Sequence, residues 1–255
     1  LLIAPILSKG LTIEFTSTPV SFPYINLTLE LMKTFGAKYD WLNKNILEIK
    51  PTGYESTEYT VDADWSSISY WYAIASLAKS ADIKIMGVKS YNLQGDAIIK
   101  NFYETLGVVS LQKDNYLQLI KKQTLLPKSV YFNFIESPDI AQTIIFNCAA
   151  LQIGGTFTGL TTLRIKETDR ILALQNELKK IGAYLDEIES NHFTLRYEKY
   201  FVPTKDILFN TYNDHRMAMA TAPLALIYDN VLIEAPNVVS KSYPSFWNDL
   251  LCASF

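Results

Sequence analysis

Leu178-Lys179-Lys180-Ile181-Gly182-Ala183 is the stretch from which the predicted fold follows, because its pattern occurs at two earlier places in the chain. The earlier copies are Leu31-Met32-Lys33-Thr34-Phe35-Gly36-Ala37 and Tyr103-Glu104-Thr105-Leu106-Gly107-Val108. In each copy an amphipathic stretch runs into a glycine, and strand-like residues follow. Glycine suits a helix end because it adopts the left-handed backbone without a Cβ penalty. The copies therefore predict helices that end in the same way.

The elements around each copy predict a repeated β-α-β-α-β-β unit of about 70 residues. The predicted fold class is α/β (α+β), with full units at 59–128 and 129–200 and incomplete units at 1–58 and 201–255. The first incomplete unit lacks its first strand, and the last one lacks its closing strands. Predicted strands are Leu11–Phe15, Tyr59–Ala63, Ile83–Gly87, Val108–Gln112, Tyr116–Ile120 and roughly Thr156–Leu163, and predicted helices include Ser66–Lys79 and Ile140–Ile153.

Composition and charge exclude several classes of protein. Apolar residues make up 49% of the chain and charged residues 19%, and a formal net charge of −3 argues against a nucleic-acid-binding protein. The longest mostly apolar run, Met217–Tyr228, is too short to span a bilayer. The two cysteines, Cys148 and Cys252, give neither a disulfide framework nor metal-ligand spacing. We therefore expect a reducing compartment and no metal site.

Basic residues lie where helices are predicted to begin, which is unfavourable because a helix N-terminus carries partial positive charge. The cations are Arg164, Lys166 and Arg170 around one helix start, His215 and Arg216 after the N-cap pair Asn213-Asp214, and Lys241 ahead of Pro244. An anion that binds both the cations and the helix ends would offset this cost. The pattern predicts a site for a small, doubly anionic ligand. Surface salt bridging, for instance of Arg170 with Glu167, is the alternative.

Two acids near these cations are candidates for proton transfer. Glu167 and Arg170 are three residues apart, so they share a helical face if the helix has begun there. Lys166 and Glu167 together would supply a cation and a proton carrier. Asp139 follows Pro138 at the start of an apolar helix, so a plain N-cap is an equally open interpretation.

Three strings of this sequence resemble the signatures of 5-enolpyruvylshikimate-3-phosphate synthases. They are Leu163-Arg164-Ile165-Lys166-Glu167-Thr168-Asp169-Arg170 followed by Glu177–Ala183, Asn213-Asp214-His215-Arg216-Met217-Ala218-Met219, and Ser240-Lys241-Ser242-Tyr243-Pro244. The resemblance covers the chain in order from Leu1 to Phe255. The related transferase that acts on UDP-N-acetylglucosamine shares the repeated fold but not these strings.

The resemblance implies the enolpyruvyl transferase fold, with two domains of three units each that close around the substrates. Residues 1–58 would be part of an upper domain, and 59–255 a nearly complete lower domain. The implied reaction transfers the enolpyruvyl group of phosphoenolpyruvate to the 5-hydroxyl of shikimate 3-phosphate and releases phosphate, without a metal or organic cofactor. The family implies a monomeric, cytoplasmic enzyme of aromatic amino acid biosynthesis, with no nucleic-acid or membrane partner.

The resemblance also implies a role for each matching residue. Asp139 corresponds to a base near the shikimate hydroxyl, and Glu167 to the acid–base residue near the phosphoenolpyruvate methylene. The implied phosphoenolpyruvate-binding residues are Arg170, His215, Arg216 and Lys241, and the implied shikimate-3-phosphate-binding residues are Ser21, Tyr24, Asp139, Thr162 and Lys166. Phe22 and Thr162 depart from the family pattern, which often has a basic residue and an asparagine there.

The family's remaining phosphoenolpyruvate and shikimate-phosphate contacts would precede Leu1. The chain begins without a methionine inside an apolar segment, and we interpret it as a fragment with negligible synthase activity alone. Two other hypotheses stay open. One is an enolpyruvyl transferase that acts on UDP-N-acetylglucosamine, and the other is a non-catalytic anion-binding module on the same fold.

Overall fold

A computed structural model describes residues 1–17, 19–90, 92–198, 201 and 206–253 of this mixed α/β chain. The chain divides into two units, of which the first is Leu1–Asp62 with Tyr91–Gly95 and the second is Ala63–Ser90 with Asp96–Phe255. Each unit has its own hydrophobic core. The division after residue 58 into an upper and a lower domain stays a prediction.

The first unit combines one helix with a three-stranded antiparallel sheet. A 3-10 helix at Ala4–Ile6 precedes β1 (Leu11–Glu14), α1 (Phe22–Thr34), β2 (Tyr39–Trp41) and β3 (Ile46–Ile49), and the strand order is β1-β3-β2. Leu29 and Met32 lie on one face of α1, and Leu47 and Ile49 on one face of β3. These side chains form the small core of the unit.

The second unit begins with a repeat whose elements are α2 (Trp65–Leu77), β4 (Asp82–Met86), a 3-10 helix at Gly95–Ile98, α3 (Ile99–Thr105), β5 (Val108–Gln112) and β6 (Tyr116–Lys121). Its antiparallel sheet has the order β4-β6-β5. The predicted strand Tyr59–Ala63 is wrong, because these residues form neither a helix nor a strand and Val61 is 81% exposed.

The next repeat contains every element that the pattern predicts. They are β7 (Ser129–Asn133), a 3-10 helix at Pro138–Ile140, α4 (Ala141–Ala150), β8 (Gly154–Thr158), a 3-10 helix at Thr161–Ile165, α5 (Arg170–Lys179), β9 (Ala183–Glu189) and β10 (His192–Tyr197). The sheet order is β7-β8-β10-β9, with β7 parallel to β8 and the other pairs antiparallel. The predicted end of this repeat near Tyr200 lies outside the described residues.

One strand of this repeat is shorter than predicted. The strand over Thr156–Leu163 ends at Thr158, and the chain then turns at Gly159, which has a φ of 75°. A Cβ at this position would lie 2.2 Å from the backbone nitrogen of Ile135, so only glycine fits. The residues that follow form a 3-10 helix instead of a strand.

The last repeat is incomplete, as predicted, over residues 206–253. Its elements are β11 (Ile207–Phe209), α6 (His215–Thr221), a 3-10 helix at Ala222–Leu226, β12 (Val231–Ile233), a 3-10 helix at Pro236–Lys241 and α7 (Phe246–Cys252). β11 pairs with β12 in parallel, and no further strand follows β12 in this range. No helix among the described residues combines the length and apolar character that a membrane span needs.

The first helix of each repeat lies at the centre of the second unit. α4 packs against both α2 and α6, and all of its 10 residues are buried. The repeated glycines Gly36, Gly107 and Gly182 follow α1, α3 and α5, and their φ values are 88°, 84° and 68°. The predicted left-handed helix ends are therefore confirmed.

Candidate active site

The starts of the three central helices meet at the guanidinium of Arg216, the second residue of α6. Its Nη2 donates to Ser66 Oγ, in the first turn of α2, at 3.3 Å and to Asp139 Oδ2, just before α4, at 3.2 Å. Its Nη1 donates to the backbone carbonyl of Asp139 at 3.3 Å. Each repeat thus places one polar group here.

A second guanidinium, that of Arg170, is 1% exposed and binds three carboxylates. Nε donates to Asp214 Oδ2 at 2.6 Å, Nη1 to Asp139 Oδ1 at 3.0 Å, and Nη2 to Glu167 Oε2 at 2.6 Å. A buried arginine is tolerated only when acceptors satisfy its donors. Asp169 caps α5 by accepting a first-turn backbone N–H at 3.0 Å, and this cap fixes Arg170 as the first helical residue.

Glu167 links Arg170 to Lys241, because its second carboxylate oxygen accepts from Lys241 Nζ. Burial raises the pKa of Glu167, but the hydrogen bond from Lys241, a backbone hydrogen bond and the charge of Arg170 outweigh burial and lower it to about 2. The carboxylate is therefore ionised at neutral pH. Lys241 ends a 3-10 helix, and α7 begins at Phe246, two residues after the helix start predicted at Pro244.

Asp139 is surrounded by cations. Its Oδ1 lies 3.2 Å from Lys166 Nζ, in addition to the contacts with Arg170 and Arg216. Burial raises the pKa of Asp139, but the charges of Arg216, Lys166 and Arg170 outweigh it and lower the pKa. Within the described ranges its carboxylate caps no helix. The N-cap interpretation of Asp139 is therefore wrong.

Asp214 acts both as a cap and as a partner of a cation. Its Oδ1 accepts from the backbone N–H of Arg216 at 2.8 Å, so the predicted N-cap of α6 is confirmed. Its Oδ2 accepts from Arg170, a contact that goes beyond that prediction. The adjacent His215 is buried, with Nδ1 3.7 Å from Asp214 Oδ1. Burial and the charge of Arg216 lower the pKa of His215, so the ring is neutral at neutral pH.

The other predicted site residues lie in two places. Thr162 is in the 3-10 helix after β8, and its buried hydroxyl has no hydrogen-bond partner among the described residues. Ser21 and Tyr24 belong to the first unit, where Ser21 precedes α1 with a φ of 57° and its carbonyl accepts from the Tyr24 backbone N–H at 3.0 Å. Phe22, which departs from the family pattern, packs its ring 5.5 Å from that of Trp41.

Arg164 shows that surface salt bridging explains one of the predicted cations. Its Nη2 lies 2.5 Å from Glu187 Oε2 and its Nη1 lies 3.6 Å from Asp169 Oδ2, and all these side chains are partly exposed. Such exposed pairs contribute little to stability and bind no ligand by themselves. The salt-bridge alternative therefore holds for Arg164. The pair of Arg170 with Glu167 that it named also forms, but the Arg170 side chain is buried.

Two contacts of the network go beyond the motifs. Ser66 accepts from Arg216 and donates to the buried carboxylate of Asp96, and Asp214 pairs with Arg170. The sequence signal for both is positional, since each residue lies at the start of the first helix of a repeat. No group of histidine, cysteine and acidic side chains among the described residues is arranged to hold a metal ion.

The comparison with family models gives the same assignment as the motifs. The model for EPSP synthase (3-phosphoshikimate 1-carboxyvinyltransferase) matches residues 1–250. The chain belongs to the EPSP synthase family. The 3-phosphoshikimate 1-carboxyvinyltransferase of Bacteroides fragilis (strain ATCC 25285) is 42% identical over 255 residues, which are 100% of this chain and 62% of that protein. The Buchnera aphidicola (subsp. Acyrthosiphon pisum, strain 5A) protein of the same name is 34% identical over 258 residues, 100% of this chain and 58% of its own length.

Solved structures confirm the predicted fold class of this EPSP synthase family chain. EPSP synthase from Acinetobacter baumannii aligns with a TM-score of 0.72 and 18% identity over 96% of this chain and 57% of that one. The enolpyruvyl transferase NikO from Streptomyces tendae aligns with a TM-score of 0.68 and 14% identity over 98% of this chain and 57% of that one. The chain thus spans less than two thirds of each relative named here.

Proposed function

We propose that the whole enzyme transfers the enolpyruvyl group of phosphoenolpyruvate to the 5-hydroxyl of shikimate 3-phosphate and releases phosphate. The observation that carries the proposal is the network in which Lys166, Arg170, Arg216 and Lys241 contact the carboxylates of Asp139 and Glu167. Phosphoenolpyruvate carries a phosphate and a carboxylate, which guanidinium groups bind through paired hydrogen bonds. This chain would supply that cationic part of the site.

The two carboxylates match the proton transfers that the reaction needs. A proton added to the methylene carbon makes the neighbouring carbon electrophilic, and the acceptor hydroxyl adds to that carbon as its own proton leaves. A base then removes a proton from the new methyl group, the double bond re-forms, and the carbon–oxygen bond to phosphate breaks. We assign the methylene proton to Glu167 and the hydroxyl proton to Asp139, which contact different nitrogen atoms of Arg170.

Glu167 must be protonated before it can act as the acid. Lys241 and Arg170 help to hold the pKa of Glu167 at about 2. An anion that takes over donors of these two cations removes stabilisation from the ionised carboxylate, so the pKa of Glu167 rises. Binding of phosphoenolpyruvate would therefore prepare its own general acid, since the best catalytic pKa lies near the working pH.

The remaining assignments follow the predicted roles. We assign Arg170, His215, Arg216 and Lys241 to phosphoenolpyruvate, and Ser21, Tyr24, Asp139, Thr162 and Lys166 to shikimate 3-phosphate. The unpartnered hydroxyl of Thr162 supports a ligand contact. Residues 1–58 would be part of the upper domain and 59–255 of the lower domain, in a monomeric enzyme without a cofactor. The free thiols of Cys148 and Cys252 support a reducing compartment, the cytoplasm.

A phosphate-release assay with phosphoenolpyruvate and shikimate 3-phosphate tests the proposal. It compares this chain with the protein extended upstream to the length of its relatives. We expect turnover only in the extended protein, and Glu167→Gln should lower that turnover by at least about 100-fold. Glu187→Gln is the matched control, because among the described residues Glu187 forms only the partly exposed pair with Arg164 and a hydrogen bond to a turn. It should change turnover by less than about twofold.

The same assay separates the competing hypotheses. Full turnover by this chain alone would contradict the fragment interpretation. Turnover of the extended protein with UDP-N-acetylglucosamine in place of shikimate 3-phosphate would favour the sugar-nucleotide transferase. Binding of phosphoenolpyruvate without turnover of either acceptor would favour the non-catalytic module.

A further inference from the structure

A second buried charge lies on the same face of α5 as Arg170. Glu177 is 0% exposed and follows Arg170 by seven residues, which is two helical turns or about 10 Å along the axis. None of the motif roles above uses this residue. A fully buried carboxylate needs partners that satisfy its charge, so its contacts show what it holds.

The Glu177 carboxylate binds the end of its own helix and the segment that leads into α6. Oε2 accepts from the backbone N–H of Asn210 at 2.9 Å, and Oε1 accepts from the Tyr212 hydroxyl at 2.7 Å. Lys180 Nζ donates to Oε2 at 2.6 Å and to the carbonyl of Leu208 in β11 at 2.7 Å. Burial and the Glu177 carboxylate raise the pKa of Tyr212, so its hydroxyl stays protonated and donates.

The segment that Glu177 holds is a strained turn. The Asp214 backbone N–H donates to the Thr211 carbonyl at 2.8 Å, and between them Tyr212 and Asn213 have φ values of 55° and 56°. Two central residues with positive φ are the pattern of a type I′ turn. A bulky residue such as tyrosine is strained in this region and persists only where its surroundings enforce it. Glu177 supplies such an enforcing contact.

We propose that Glu177 is a positioning residue that sets Asp214, His215 and Arg216 in their places. α5 then contacts the segment before α6 at two points. Glu177 accepts hydrogen bonds from Asn210 and Tyr212. Arg170 donates to Asp214, the last residue of the turn. If the turn relaxes, His215 and Arg216 move relative to Arg170. This inference rests on the proposed function only for its kinetic consequence, since the hold itself is a property of this chain.

Tyr212→Phe is the test variant because it removes the hydroxyl that donates to Glu177 and keeps the ring. Tyr72→Phe is the matched control, because the Tyr72 hydroxyl also makes one side-chain hydrogen bond, to Ser110 Oγ at 2.6 Å, in the same unit. In the extended protein we expect Tyr212→Phe to raise the KM for phosphoenolpyruvate about three- to tenfold, as the loss of one hydrogen bond implies. Tyr72→Phe should leave that KM unchanged. It should lower Tm by about as much as Tyr212→Phe does.

Hydrogen exchange in this chain gives a second readout that needs no turnover. The amides of Asp214 and Arg216 should exchange about three- to tenfold faster in Tyr212→Phe and at the wild-type rate in Tyr72→Phe. Equal exchange in the two variants would overturn the inference, as would a loss of kcat without a change in KM. If the extended wild-type protein does not turn over, the proposed function fails, and the exchange rates still decide whether Glu177 holds the turn.

Discussion

Three aspartates occupy the same place in the three repeats of the second unit, at the start of the first helix, and they do different things. Asp64 uses its carboxylate on its own helix, where it accepts from the backbone N–H groups of Ser66 and Ser67 at 3.2 and 3.1 Å. Asp139 binds the cations Lys166, Arg170 and Arg216 and caps nothing within the described ranges. Asp214 caps α6 and pairs with Arg170.

The comparison separates what the fold requires from what the site requires. An aspartate before a helix is expected for capping alone, so its presence says nothing about function. Its function depends on which cations reach it from elsewhere in the fold, and Arg170 reaches both Asp139 and Asp214. The aspartate that gives up capping is the one that we assign to catalysis.

The largest expected effect separates Asp139 from Asp64. In the extended protein, Asp139→Asn should lower kcat/KM by about 10²- to 10⁴-fold, because an amide cannot accept the hydroxyl proton. Asp64→Asn should change it by less than about threefold, because asparagine caps a helix as well as aspartate does. Phosphate release measures both. Similar losses in the two variants would show that Asp139 acts through structure and not through proton transfer.

The next largest effect concerns the dual role of Asp214. Asp214→Asn keeps a cap for α6 but removes one of the three carboxylates around the buried Arg170. Removing one partner of a buried ion pair costs about 3 to 5 kcal/mol when the other charge is left without any partner. Arg170 keeps two carboxylates, so the free energy of unfolding should fall by about 2 to 3 kcal/mol. Urea denaturation of this chain measures the free energy of unfolding.

Asp139→Asn is the stability control for that measurement, because the Asp139 carboxylate is partly exposed to water. It also removes a carboxylate from Arg170, so it should lower the free energy of unfolding, but by less than Asp214→Asn does. If Asp139→Asn destabilised the chain as much as Asp214→Asn, burial would not be what distinguishes the two aspartates.

The local parts of this structure could be predicted from the sequence. Amphipathic spacing and the terminal glycine locate α5 and its left-handed end at Gly182, and aspartate before His215 locates the start of α6. These features depend on neighbours along the chain. The same reasoning fails at Tyr59–Ala63, where alternation favours a strand but strand formation depends on a partner elsewhere in the fold.

The sequence predicts where the site lies but not which of its residues contact one another. Cations at helix starts predict that anions bind there, and this stays a prediction, since the contacts of Arg216 are with the side chains of Asp139 and Ser66. Whether Asp139 caps or binds cations could not be decided, because its partners are 31 and 77 residues away in the sequence. Glu177 could not be found either, because no local pattern relates a helix-interior acid to a turn 35 residues later.

A smaller effect is expected when Asp64, which caps its own helix in the comparison above, is replaced. Asp64→Ala should lower the free energy of unfolding of this chain by about 1 kcal/mol, because backbone N–H groups of α2 lose their acceptor. Asp114→Ala in the exposed turn between β5 and β6 is the control and should change it by less than about 0.5 kcal/mol. Urea denaturation again gives both values. An unchanged stability of Asp64→Ala would mean that water replaces this cap without cost.

The smallest expected effect concerns Glu167, which lies outside the three helix starts. It shows whether cations stabilise the ionised carboxylate of Glu167 as they do that of Asp139. Its pKa falls from the ordinary glutamate value of 4.5 to about 2 in the folded chain, so folding favours the ionised form. The resulting stability is present above about pH 4.5 and is lost as the pH falls toward 2, because the unfolded chain binds the proton first. Lys241 is largely exposed, so this contribution should stay below about 1 kcal/mol. The free energies of unfolding of the wild type and Glu167→Gln should therefore differ at about pH 6, and the difference should shrink as the pH falls from about 4.5 toward 2, with Glu187→Gln as the control. A constant difference would mean that Glu167 contributes through its shape and not through its charge, and the proposed rise of its pKa on anion binding would then have no basis.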